Sequence, residues 1–330
     1  MLDLKNYGPR EWASLGVIAL LAILVPLASV WWEEPYYLNL VTRIMVFALA
    51  AIGLNLALGF GGMISLGHAM YLGVGAYSVG ILSQHGVSDA WVHLSTALAV
   101  GAAMAVVVGL LCLRTSGMAF IMITLAFAQM AYFVAISLKH YGGEDGLPVA
   151  VRSQIGDLNM GDSLVFYLCV MVVLGLVLWL MHHLIHSRFG MALQGTRINE
   201  RRMSAMGLPV FRYRLLGYVL SAEICVIAGV LLANLTTFVS PSYMQWSMSG
   251  ELMVMVVLGG LGTLLGPVVG AASLILLEEL LSSLHFEAWP WLDRLLGDHW
   301  LAVVGAFIVI VTLNLHHGLL GSLRSSGDKS

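Results

Sequence analysis

Charge is scarce in this sequence. Asp, Glu, Lys and Arg make up 10% of its 330 residues, hydrophobic types 59%, and mean hydropathy is +0.91. Soluble globular domains carry about 25% charged residues, so that class is excluded and a polytopic membrane protein is expected. Polar stretches are short as well, the longest running to about thirty residues, whereas apolar runs of about 20 residues, the length that crosses a bilayer, recur nearly end to end. That leaves no room for a separate soluble domain, and residues 1–330 read as one transmembrane domain. The three cysteines, Cys112, Cys169 and Cys225, lie inside apolar segments without short spacing, which argues against a disulfide framework or a thiolate metal site. No long basic run suggests nucleic acid, and a formal charge of −3 says little about partners.

Catalytic motifs are missing too. The sequence contains no G-x-x-x-x-G-K-[ST], no H-E-x-x-H and no G-x-S-x-G, so the chain neither hydrolyses ATP itself nor reads as an intramembrane hydrolase. His182, His183 and His186 sit at the end of an apolar run with no Cys or carboxylate ligands nearby, as His316 and His317 do at another. They read as interfacial polar residues, and no metal or cofactor is expected on this chain.

What is present is a series of apolar runs at about 15–32, 38–58, 65–83, 92–112, 117–138, 162–182, 213–233, 249–265, 267–284 and 299–316. The expected fold is all-α with about ten transmembrane helices. The first run follows Lys5 and Arg10 and ends in Trp31, Trp32, Glu33, Glu34, Pro35, Tyr36 and Tyr37, an aromatic belt without a convincing cleavage site, so it reads as an uncleaved span. Alternation from a cytoplasmic N-terminus places Arg114, the loop 187–214 and the tail with Arg324 and Lys329 inside, in keeping with the positive-inside bias. The acidic loops 141–147 and 287–299 fall outside, while Lys139, Arg152 and Arg294 go against the bias.

Two short stretches break the apolar pattern. LGFGGMISLGH (58–68) and LGGLGTLLGP (258–267) hold four glycines each, too many for an uninterrupted helix. Gly59, Gly61, Gly62, Ser65, Gly67 and His68 in the first, with Gly259, Gly260 and Gly262 in the second, are candidates for a translocation pathway. The reason is that unwound backbone at membrane depth must line protein or water. Close helix packing through small residues is the alternative for any one glycine. The two breaks also suggest an internal repeat, but the spans do not divide symmetrically around them.

The loop SRFGMALQGTRINERRMSAMGLPVFRYR (187–214) gathers Arg188, Arg197, Arg201, Arg202, Arg212 and Arg214, six of the chain's fifteen basic residues. Charge alone makes it a topological anchor. The spacing predicts one helix over about 191–206, ended by Gly207 as a cap and by Pro209. Arg197 and Glu200 are spaced to pair on it, and Met191, Ile198 and Ala205 form a thin apolar stripe. Such a helix suits a groove on a partner protein, with a helix lying on the lipid headgroups as the competing reading. Within the spans, Glu223 is the one mid-span carboxylate; Glu251, Glu278 and Glu279 lie near span ends. Ion-coupled carriers rely on buried carboxylates, so a proton-coupled secondary transporter acting through Glu223 is a rival reading.

Three motifs in order, NLALGFGGMISLGHAMYLGVGAY (55–77), the loop with Gly190, Arg197, Asn199, Glu200 and Gly207, and SGELMVMVVLGGLGTLLGPVVG (249–270), carry a resemblance, together with FIMITLAFAQM (120–130) and GGEDGL (142–147) between them. The chain resembles the membrane subunits of bacterial branched-chain amino-acid ABC importers, in particular the M-type subunit of the high-affinity Leu/Ile/Val system. Permeases for urea and short amides are similar, so the carried solute stays open. The resemblance implies a multi-pass permease of the bacterial inner membrane that pairs with a second homologous permease. It further implies two cytoplasmic ATPase subunits that hold the ATP and Mg, and an extracytoplasmic substrate-binding protein. It assigns Gly190, Arg197, Asn199, Glu200 and Gly207 to the loop that docks the ATPase. Two departures from the family pattern stand out. Arg201, Arg202 and Met203 are more basic and bulkier than the usual run, and Glu223 stands where a small apolar residue is expected.

Overall fold

In the computed structural model, the described residues are 35–149, 152–154, 156, 160–283 and the single positions Gly305, Val309 and Leu319. The expected spans 15–32 and 299–316, the loop 287–299 and the tail with Arg324 and Lys329 lie outside them, those single positions apart. The described chain is mainly helical, with turns between the helices and one two-residue strand pair. Its helices are α1 (Pro35–Asn55), α2 (His68–Gln84), α3 (Ala90–Cys112), α4 (Met118–Ser137), α5 (Ser163–His186), α6 (Arg188–Ile198), α7 (Glu200–Ala205), α8 (Val210–Thr236), α9 (Trp246–Gly259) and α10 (Gly266–Ser283).

Local chemistry sets these boundaries. The side chains of Asp89, Asp162, Ser187 and Asn199 accept the first free amides of α3, α5, α6 and α7, the usual role of short polar residues at a helix start. α1 runs into a π-turn over Leu56–Phe60, where Gly61 N donates to Leu56 O at 3.0 Å. The wider turn is typical of functional sites.

Five helices among the described residues are long and apolar enough to cross a membrane: Tyr36–Phe60, Ala90–Cys112, Met118–Ser137, Ser163–His186 and Val210–Thr236. Of the ten expected crossings, two lie outside the described residues, and five of the other eight are matched by these helices. The run at 65–83 becomes a 17-residue helix that starts only at His68, once the first glycine break has ended. The run at 249–265 stops at Gly259, after 14 residues, a length of about 21 Å at 1.5 Å per residue, short of the roughly 30 Å hydrocarbon core. Gly260 takes φ +122° there, a conformation only glycine adopts freely, and the chain turns back into α10.

α8 organises the packing. Its residues Ile224, Ala228, Leu231 and Leu232 enter one buried cluster with α1, α5, α9 and α10. Tyr218, Ala222, Cys225, Val226, Val230 and Ala233 enter a second with α2, α3 and α4. An apolar helix buried on two faces is the expected centre of a membrane bundle. α3 and α4 are the least buried of the five long helices and α1 the most, so Val107, Met122, Met130, Phe133 and Val134 are left facing outward.

The bundle has two distinct ends. At one, β1 (Leu147–Pro148) pairs antiparallel with β2 (Phe238–Val239), and Asp89 bridges to Gln154. At the other lie both glycine breaks, Arg114 and the loop 187–214. Seven of the described basic residues, Arg114, Arg188, Arg197, Arg201, Arg202, Arg212 and Arg214, belong to this second end, the one that the positive-inside bias assigns to the cytoplasm.

Candidate functional site

The loop 187–214 is two helices rather than the single expected one. Asn199 sits between them in an extended conformation, φ −157° and ψ 98°, and its Oδ1 accepts from Arg202 N at 3.0 Å. An asparagine that caps a new helix competes with continuing the old one, and here capping prevails. The break redirects the charges. The expected Arg197–Glu200 pair does not form, because Glu200 binds Arg214 of α8 at 3.0 Å while Arg197 turns to the first glycine break. α7 ends in a Schellman arrangement, with Gly207 N donating to Ser204 O at 2.9 Å and Leu208 N to Met203 O at 3.2 Å. Gly207 holds φ +80°. Gly190 lets α6 fold tightly against the end of α5, since a Cβ there would lie 2.2 Å from Leu184 O.

The outward face of this loop is a shallow hollow of about 820 Å³ lined by Ile198, Asn199, Glu200, Arg201, Ser204, Ala205 and Val210. Met191, Ile198 and Met206 are exposed, Ile198 at 84%. Apolar side chains are thus exposed beside arginines and one glutamate on this face.

The two glycine breaks, some two hundred residues apart in sequence, meet at the inner side of this loop. Asn55, the residue before the π-turn, donates from Nδ2 to Thr263 O at 2.8 Å and accepts at Oδ1 from Gly262 N at 3.0 Å. Gly59 O accepts from Arg197 Nη1. A Cβ on Gly59 would lie 2.6 Å from Gly262 N, so the contact requires glycine. Gly62 and Gly262 hold φ +66° and +73°.

The remaining pathway candidates are placed differently. Gly61 packs its backbone over Ala57 O, and Gly259 lies against Gly266, joining α9 to α10. Ser65 and His68 are fully buried. Ser65 Oγ accepts from Gly67 N at 3.2 Å, and Gly67 packs against Thr124 of α4. His68 Nε2 lies 2.7 Å from Ser221 Oγ, which donates to Gly53 O at 2.6 Å. The imidazole is edge-on to Tyr71 and Tyr218, whose hydroxyls bond at 3.1 Å, while Nδ1 has no partner. These groups form a closed polar knot joining α1, α2 and α8, with Ser249 of α9 accepting from Ala69 N.

Asn55, Tyr71, Tyr218, Ser221, Ser249 and Arg214 were not among the expected site residues. The only sequence signal for Asn55 or Ser221 is a polar residue in an apolar run. Glu223 lies in the middle of α8, its Oε1 buried without a partner and 3.2 Å from where a Cβ on Gly101 of α3 would sit. No group of three or more His, Cys, Asp or Glu positioned for a metal occurs among the described residues. A second hollow, of about 490 Å³ and almost wholly apolar, lies between α2, α3 and α4 and includes Tyr77, Met104, Phe127 and Met130.

Comparison with known proteins supplies the family. The profile of the branched-chain amino acid transport system / permease component family matches residues 36–317. Among relatives, the high-affinity branched-chain amino acid transport system permease protein LivM of Salmonella typhimurium is 24% identical over 310 residues, 87% of this chain and 70% of that protein. The LivM of Escherichia coli K12 is similar to the same extent. The autoinducer 2 import system permease protein LsrC of Enterobacter sp. 638 is 28% identical over 314 residues, 90% of this chain and 85% of that protein. No solved structure matches.

Proposed function

The chain belongs to the branched-chain amino acid permease family, a transport subunit of an ABC importer and not an enzyme, and from that premise we propose that it carries branched-chain amino acids across the bacterial inner membrane. The coarser statement, a multi-pass inner-membrane permease for a small solute, holds for both groups of relatives. Family membership brings with it a second permease, cytoplasmic ATPases and a substrate-binding protein.

The choice of solute rests on the family description and on the amino-acid permeases among the relatives. The import of autoinducer 2 is the second reading, favoured by the higher identity and fuller coverage of the LsrC relative. Urea and short amides remain a third, carried by the sequence resemblance alone. Secondary transport through Glu223 has weaker support, because one unpartnered carboxylate makes no proton relay.

In the mechanism we propose, the ATPases close on the hollow of α6 and α7, and the push passes inward to the glycine breaks, where Gly59, Gly61, Gly62, Ser65, Gly67, His68, Gly259, Gly260 and Gly262 border the solute's path. The observation that carries this is the direct contact between the charged loop and the breaks, Arg197 to Gly59 O. Backbone carbonyls and amides freed by the glycines offer weak, exchangeable contacts, as a path that must release its cargo requires. High affinity then resides in the binding protein. A thermal-shift screen of the cognate binding protein against leucine, isoleucine, valine, autoinducer 2 and urea tests the solute. Stabilisation by the branched amino acids supports the proposal, and stabilisation by autoinducer 2 alone moves it to the second reading.

A further inference from the structure

Arg197 has a position that docking by itself does not call for. It lies in the last turn of α6, beside the hollow, yet its side chain points inward across the first break. Gly62 has no side chain under it: a Cβ there would lie 2.8 Å from Arg197 Cγ. Beyond Gly62, Nη1 donates to Gly59 O, and the same nitrogen is 3.3 Å from where a Cβ on Gly262 would sit. The guanidinium therefore binds the first break and lies beside the second, which Asn55 bonds to the first.

The chemistry of the contact suits a tie rather than an incidental contact. Gly59 lies in the π-turn that ends α1, where carbonyls leave the helical ladder and carry the negative end of the helix dipole. Arginine keeps its charge at any physiological pH and presents five donors in a rigid fork. Asn55 completes the joint with two bonds to the second break, to Thr263 O and from Gly262 N. Glu200, three residues on, is held by Arg214 of α8 and does not compete for Arg197. The extended backbone at Asn199 separates α7 from this joint, while α6 also packs on α8 through Leu193 against Gly217 and Phe189 against Tyr213.

Resting on the ATPase-docking reading above, we infer that Arg197 is the positioning residue that transmits the docking motion of α6 to both glycine breaks at once. A displacement of α6 moves the end of α1 through Gly59 and the α9–α10 turn through Asn55 and Gly262. Without the guanidinium, the ATPase would dock and hydrolyse ATP while the breaks stayed in place.

The test uses the complete importer, with its second permease, ATPases and binding protein, in proteoliposomes. Spin labels are placed at Leu261→Cys in the second break and Met122→Cys on the outer face of α4, both exposed, in a Cys169→Ser background; Cys112 and Cys225 are fully buried. In the otherwise native importer the distance between labels shifts on ATP binding. In Arg197→Ala and in the longer, uncharged Arg197→Gln, the ATPase co-purifies as before, the shift disappears, and uptake falls at least tenfold; Arg197→Lys recovers part of both. A shift retained in the Ala and Gln variants, or no shift in the native importer, overturns the inference while the docking reading stands. If the ATPase fails to co-purify with the native permease, the docking reading fails and the transmission role fails with it.

Discussion

The two ends of this bundle are closed by different kinds of bond. At the outer end a backbone strand pair closes the chain, with side-chain bonds beside it. β1 pairs with β2, Asn234 Oδ1 accepts from Ser153 N at 2.7 Å, and His93 binds Ser153 Oγ and Val87 O. At the cytoplasmic end no strand pair forms among the described residues. Asn55 holds the two glycine breaks together, Arg197 ties α6 to the first of them, and the Glu200–Arg214 pair holds the loop to α8. Backbone ladders between short loops fix a geometry. Side-chain ties across glycines leave one that a partner can shift, because few bonds have to change and no apolar core has to open. The contrast matches an importer whose energy arrives from the cytoplasm.

Substitutions at the two ends should therefore separate stability from transport. The largest effect is expected for Gly59→Val. Its side chain would collide with Asn55 Oδ1 and Gly262 N, forcing the breaks apart, with overpacking of about 1–3 kcal/mol. Uptake in proteoliposomes should fall to background, with a lowered midpoint of thermal unfolding in detergent. Near-native uptake would remove the breaks from the mechanism.

Next comes the loop. Gly207→Pro puts a ring locked near φ −65° at a position held at +80° and removes the amide that binds Ser204 O. Glu200→Ala breaks a half-exposed ion pair worth about 0–1 kcal/mol. Both variants should insert into the membrane and assemble, yet uncouple ATP hydrolysis from uptake. Coupled transport unchanged in both would reject the docking role.

Outer-end changes should reverse the pattern. Asn234→Ala leaves Ser153 N without its acceptor, at a cost of about 1–3 kcal/mol. The thermal midpoint should drop while uptake at a permissive temperature changes less than twofold. A larger transport loss than stability loss would show the outer end to be part of the moving machinery. The smallest effect belongs to Thr237→Gly. Thr237 is the one described non-glycine residue at positive φ, 50°, and glycine there relieves about 1 kcal/mol of left-handed strain, offset in part by its greater freedom in the unfolded chain. Uptake should be unaltered.

Much of this was legible in the sequence because composition and punctuation are local. The all-helical membrane class, the basic loop, the two glycine breaks and the stop at Gly207 all follow from residue types within short windows. Two errors have local causes of their own. The helix expected over 191–206 splits because Asn199, followed by Glu200 in a first turn, is a capping signal inside an otherwise helical run. Of the eight expected crossings that fall on described residues, five are long apolar helices; glycine-rich ends shorten α2 and α9, and α10 is the third that is not among the five. What could not be read was distance. Asn55 and Thr263 are 208 positions apart, and nothing in either neighbourhood marks the other. The same holds for the buried His68–Ser221 contact, whose partners are 153 positions apart.

The most direct test of the account is leucine uptake by the purified chain alone, set beside the complete importer, in proteoliposomes bearing a proton gradient. The account predicts uptake only when the second permease, ATPases, binding protein and ATP are all present, with no response to the gradient. Leucine moved by the chain alone down that gradient, and abolished by Glu223→Gln, would contradict it.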